Sequence, residues 1–131
     1  MNNSQFIESM IQTFGDCIET AKKKNQDYAG DADPFANFSK VETFGICSVE
    51  TGILVRITDK MARISNLLSS DKDPAVIDES IDDTIMDAIN YFAILKAYRE
   101  SQQGKVVDPF ALMDQTFDKA MKDFKSLGKK K

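Results

Sequence analysis

Apolar residues recur at helical spacing over four long segments of the chain, and no stretch alternates with period two long enough to make a strand. This pattern predicts an all-α fold, a helical bundle of about four main helices, in one domain spanning residues 1–131. Phe6, Ile7, Met10, Ile11, Phe14, Ile18 and Ala21 mark a first helix over residues 4–24, with Ser4 as N-cap and Lys22, Lys23 and Lys24 at the C-terminal end. A second helix over residues 49–69 carries an apolar stripe of Ile53, Leu54, Ile57, Met61, Ile64 and Leu68. Arg56, Asp59, Arg63 and Asn66 fall on its opposite side. The longest helix, residues 75–101, has the stripe Ile77, Ile81, Ile85, Ala88, Ile89, Phe92 and Leu95. Gly104 and Pro109 bracket a turn, and residues 110–127 close the fold with Phe110, Met113, Phe117, Met121, Phe124 and Leu127. Gly128 and the lysines at 129–131 read as a C′ glycine and a solvated basic tail.

Residues 25–40 read as a loop from Gly30, Pro34 and their density of Asn and Asp. The loop nevertheless holds Tyr28, Phe35 and Phe38, more apolar area than a surface loop normally exposes. It either plugs the end of a bundle or forms one wall of a ligand pocket.

Composition removes several functions. The chain has no His, which excludes Ser-His and Cys-His catalysis and imidazole-based zinc sites. Two cysteines, Cys17 and Cys47, make neither a tetrathiolate site nor a disulfide framework, so the expected setting is a reducing cytoplasm. Any metal is then a hard cation on oxygen ligands, Mg²⁺, Mn²⁺ or Ca²⁺. A net charge of −4 argues against a protein that coats DNA or RNA. No apolar run reaches the ~20 residues of a membrane span, and Met1–Gln5 has no signal-peptide character.

The longest helix carries the unusual chemistry. Seven acidic residues lie between Asp71 and Asp87, against Lys72 alone of the other sign. Glu79, Asp83 and Asp87 follow one another at i,i+4, with Asn90 on the same face, almost opposite the apolar stripe. Like charges at this spacing repel, so something positive belongs among them. Met86, Ile94 and Ala97 share that side, which points to a face that meets protein. Two occupants fit: a divalent cation held by Asp59, Glu79, Asp83 and Asp87, or an ion-pair scaffold using Arg56, Lys60 and Arg63 of the neighbouring helix. Carboxylates beside guanidinium groups suit a metal-bound polyphosphate, with oxygens on the cation and planar forks on the phosphates.

Three strings, NQDYAGDADPFANF, GILVRITDKMARISNLL and VIDESIDDTIMDAINYFAILKAY, together resemble the phage and bacterial nucleotide modification associated domain 1 family over roughly residues 24–99. That family is similar in outline to the MazG-like all-α nucleoside triphosphate pyrophosphohydrolases. The resemblance implies an oligomeric helical bundle in which Glu and Asp from two adjacent helices hold Mg²⁺ or Mn²⁺, and cleavage of an NTP or dNTP to monophosphate and pyrophosphate. Of the hydrolase pattern, Glu-x-x-Glu followed by Glu-x-x-Asp, the second element matches Glu79 to Asp82, with Asp83 and Asp87 as an alternative register. The first element is missing, and Asp59 stands between Arg56 and Arg63 where the hydrolases have two glutamates.

Three functions follow. In the first, an enzyme uses Glu79 and Asp83 as catalytic carboxylates, with Asp59, Glu79, Asp83 and Asp87 on Mg²⁺. Arg56, Lys60 and Arg63 then hold phosphates, and Asn37 and Asn90 read base or ribose, with Tyr28, Phe35 or Phe38 stacking on it. The second is a non-catalytic nucleotide binder or nucleotide-modification accessory protein with the same pocket. In the third, a homo-oligomer, a dimer or a multiple of one, uses its charged faces only to specify assembly. The expected partners are a small-molecule nucleotide and further copies of the chain, in the cytoplasm (the host's, if phage-encoded).

Overall fold

Helix starts are set by side chains that complete the backbone hydrogen bonding of the first turn. At the N-terminus Asn2 Oδ1 accepts from the Gln5 amide and Gln5 Oε1 accepts from the Asn2 amide, both at 2.9 Å. This reciprocal pair, and not Ser4, opens α1 (Asn3–Tyr28). The computed structural model describes residues 1–28, 33–71, 73–105 and 118–126, except for the side chains of residues 26–28 and of Val76. Asp33 Oδ1 accepts from the Phe35 amide just ahead of α2 (Ala36–Thr43). Ser48 caps α3 (Val49–Leu68) by accepting from the Thr51 amide. Asp73 caps α4 (Pro74–Gln102), whose first residue is a proline that has no N–H to satisfy. Residues 118–126 form a further helix, α5. The fold is all-α, with no strand among the described residues.

The segment read as a loop over residues 25–40 is shorter than its composition implied. Helix α1 runs on past the three lysines to Tyr28, and α2 begins at Ala36. The described residues of α5 include Met121 and Phe124 of the last predicted helix, while Phe110, Met113, Phe117, Leu127 and the basic tail lie outside the described residues.

Helix α4, about 43 Å long at 1.5 Å per residue, is the element on which α1 and α3 both pack. Because residues 69–73 join α3 to α4, the two long helices lie antiparallel. Val49, Ile53 and Ile57 of α3 form the buried core, and Phe38, Tyr91, Ile94, Leu95 and Tyr98 pack around them. Helix α2 lies on α3 and reaches α4 through the ring of Phe38, as does Phe35 just ahead of it. Counting 100° per residue, the α3-facing and α1-facing sides of α4 are roughly 110° apart. Among the described residues α1 packs on α4 and not on α3, so a cleft opens between them.

The stripe predicted on α3 divides. Ile53 and Ile57 are buried, whereas Leu54, Met61 and Leu68 are 47%, 61% and 71% exposed. A stripe wider than one neighbouring helix can cover leaves its outer edge in solvent. On α4 the division is stronger: the flank bearing Tyr91, Ile94 and Tyr98 joins the core, while Ile85 and Phe92 of the predicted stripe are 39% and 53% exposed.

Substituting Ile53→Ala should lower stability by about 3 kcal/mol in urea unfolding, since its side chain is wholly enclosed. Ile46→Ala, at a side chain 72% exposed, should change stability by less than about 0.5 kcal/mol.

Candidate functional site

Three helices converge on Asp87. Lys24 of α1 approaches its Oδ1 at 3.2 Å, and Lys60 of α3 approaches its Oδ2 at 3.3 Å. Asp87 and Lys60 are partly buried and Lys24 is exposed, so each pair is solvent-screened and individually weak. Together they place two ammonium groups at the mouth of the cleft between α1 and α3. By the 100° rule Asp83 lies on the same side of α4, one turn toward its N-terminus, with Glu79 a further turn on. Glu79, Asp82 and Asp83 are exposed and make no ion pair among the described residues.

Lys60 also belongs to a second feature, an open groove of about 630 Å³ along α3. Asp59, Lys60, Arg63 and Asn66 line it, with Ser70 at its end. The groove shares Lys60 with the Asp87 ion pair, and its wall carries one carboxylate, one ammonium and one guanidinium group.

Not every residue singled out from sequence reaches this place. The Arg56 guanidinium lies 4.8 Å from the centroid of the Phe38 ring, and its Nη2 donates to the Asn37 carbonyl at 3.5 Å. That pins Arg56 to α2, with its charge over an aromatic face. Asn37 is exposed on α2. Asn90 donates its side-chain amide to the Cys17 carbonyl at 3.1 Å and so ties α4 to α1. The Tyr28 side chain lies outside the described residues. The structure therefore brings Lys60 to Asp87 and lines a groove with Asp59, Lys60 and Arg63, and it leaves Arg56 and Asn37 with the aromatic cluster.

Lys24 is the residue that sequence reasoning missed, having assigned it only to the end of a helix. One signal was available: Lys24 lies seven residues beyond Cys17, two turns along the side of α1 that faces α4.

Two groups have displaced proton affinities. Burial, followed by the negative charges of Asp16 and Asp87, holds the Cys17 thiol above its ordinary value. The thiol stays neutral, with Sγ 3.8 Å from the Met86 carbonyl. At the other end of α4, Tyr98 stands edge-on to Phe35, ring centroids 5.4 Å apart. Burial, then Glu42, Glu50 and Asp33, push its phenol above 10.0.

In a double-mutant cycle, Lys60–Asp87 coupling should be about 1 kcal/mol or less and should fade in molar salt. The neutral phenol of Tyr98 is the form the fold favours, so its contribution to stability is complete below pH 10.0 and is lost as pH rises through the folded-state value. Absorbance titration of the chain against Tyr98→Phe should show that the substitution removes a tyrosine midpoint raised above 10.0. Compared with known protein families, with curated proteins and with solved structures, the chain matches none of them.

Proposed function

We propose that the chain binds a magnesium-bound (deoxy)nucleoside triphosphate in the cleft where α1, α3 and α4 meet, and cleaves it to monophosphate and pyrophosphate. The observation that carries this reading is the convergence of Lys24 and Lys60 on Asp87, beside Asp83 and Glu79, which make no ion pair among the described residues, and the groove of Asp59 and Arg63. Two lysines that meet one carboxylate across a cleft are cations already positioned for an anion with more charge than a carboxylate. The resemblance of three sequence strings to the nucleotide modification associated domain 1 family, with the Mg²⁺-dependent pyrophosphohydrolase chemistry it implies, supports the same reading.

The donor set distinguishes two ways of holding the cation. Among the described residues no three acidic or cysteine side chains come together as a metal cage. Mg²⁺, however, is commonly held by one or two carboxylates with waters and substrate phosphates completing its shell. Asp83 and Asp87, neighbours one turn apart on α4, fit a cation that arrives on the nucleotide and do not fit a resident ion. Once bound, such a cation supplies charge neutralisation on the phosphates and a more acidic water.

The chain's own residues do the rest. Lys24 and Lys60 turn from Asp87 to phosphate oxygens, which frees that carboxylate. Arg63 grips a phosphate with its planar fork, as a point-charge lysine cannot. Glu79 or Asp83 accepts the proton of the attacking water.

A second reading, binding without turnover, is favoured by one specific observation: α3 lines the groove with Asp59 as its one carboxylate among the described residues, where the hydrolases that the sequence resembles use two. One experiment separates them. Mg²⁺ alone should leave Tm unchanged, whereas dNTP or NTP with Mg²⁺ should raise it by about 3 °C or more at ligand far above Kd. Monophosphate and pyrophosphate should form, and Asp83→Asn or Glu79→Gln should slow this by about a hundredfold or more. Lys60→Ala should weaken binding about tenfold. Stabilisation without products decides for the binder, and no stabilisation by any nucleotide rejects both readings.

A further inference from the structure

The back of the α3–α4 pair, the side turned away from the cleft, is an apolar surface without a partner among the described residues. Leu54, Met61 and Leu68 recur every seven residues on α3, and each is 47% exposed or more. The Lys60–Asp87 pair fixes the antiparallel register. It sets Leu54 level with Phe92, Met61 level with Ile85, and Leu68 near Ile81. These rungs make a patch two helices wide and about four turns long. At usual helix spacing it offers on the order of 700 Å² per copy, close to one partner's share of a stable interface.

Charge along α4 identifies what covers it. On this face the apolar centre from Ile81 to Phe92 has Asp78 and Asp82 at its N-terminal end and Lys96 and Arg99 at its C-terminal end. All of these fall within roughly 60° of the direction of Ile85. A groove of about 320 Å³ opens at the basic end, with Phe92 and Leu95 as its apolar lining and Lys96 and Arg99 among its charged residues. An apolar slot beside cations complements an apolar ridge beside carboxylates, and α4 carries both on one face.

We propose that a second copy of this chain docks here, with α4 packed antiparallel on α4 of the second copy about a two-fold axis between Ala88 and Ile89. That axis sets Ile85 opposite Phe92 of the second copy and Asp78 opposite Arg99, and brings Asp82 beside Lys96. Each pairing occurs twice, as an isologous contact requires. Lys96 also pairs with Glu100 within its own helix, so Asp78 and Arg99 carry most of the directional preference. This arrangement uses the face opposite the cleft and does not depend on nucleotide binding.

Light scattering and sedimentation of the full chain, without nucleotide, test it. The expected mass is about twice 14.7 kDa. Phe92→Glu should give a monomer with unchanged helical circular dichroism. Asp78→Arg and Arg99→Asp, both at exposed positions, should each weaken the dimer about tenfold, and the double reversal should restore it to within about threefold of wild type. A wild-type monomer throughout the micromolar range overturns the proposal and means that another part of the chain covers the face. So does a folded Phe92→Glu dimer, or a double reversal that fails to recover association.

Discussion

The structure depends on the packing of one ridge, Val49–Ile53–Ile57 of α3, against the aromatic flank of α4. Ile53 is wholly enclosed, and Phe38 and Tyr91, edge-on with centroids 6.3 Å apart, pack with it around the core. This contact fixes how far α3 is displaced along α4, and every polar relationship at the cleft inherits that displacement. Lys60 meets Asp87 because it lies one turn beyond Ile57 on nearly the same side of its helix. The backbone near the ridge is equally constrained. A β-carbon on Gly52 would come within 2.9 Å of Val41 Cγ2, so the close seating of α2 on α3 requires glycine there.

Helix α4 serves three neighbourhoods at once: an aromatic flank toward α3, a polar flank toward α1, and an apolar back. Its acidic column is tolerable because the least exposed carboxylate, Asp87, has two lysines and the others keep their water. Buried carboxylates without such partners would be costly. The polar interior of the helix is satisfied as well. Thr84, the buried polar residue of α4, donates its hydroxyl to the Ser80 carbonyl at 2.6 Å.

Much of this was legible in the residues. Helical periodicity gives the long elements α1, α3 and α4, because each needs only one continuous apolar face to declare itself. The acidic column and its neighbouring cations were also visible, being local to single helices. What periodicity does not carry is which of two apolar flanks turns inward. On α4 both Ile81–Phe92 and Tyr91–Tyr98 are candidates, and the choice rests on shape complementarity with Ile53 and Phe38. The same limit hid α2: eight residues between polar turns have too short a face to register. Arg56 read as a phosphate ligand because its helix position is right, but a cation–π contact with Phe38 is a tertiary fact. Lys24 was missed for the opposite reason, since its partner lies 63 residues away in sequence.

The amide of Asn90 on the Cys17 carbonyl has a consequence for how precisely α1 can be seated. Greasy surfaces slide over one another at little cost, whereas a donor aimed at one carbonyl works as a vernier stop. It indexes α1 to a single notch, with the ammonium of Lys24 two turns downstream, 3.2 Å from Asp87, on a tether that reaches α4. Lengthening α1 by one residue between those positions would rotate that tether by about 100° and swing its charge away, although the apolar seam would barely notice.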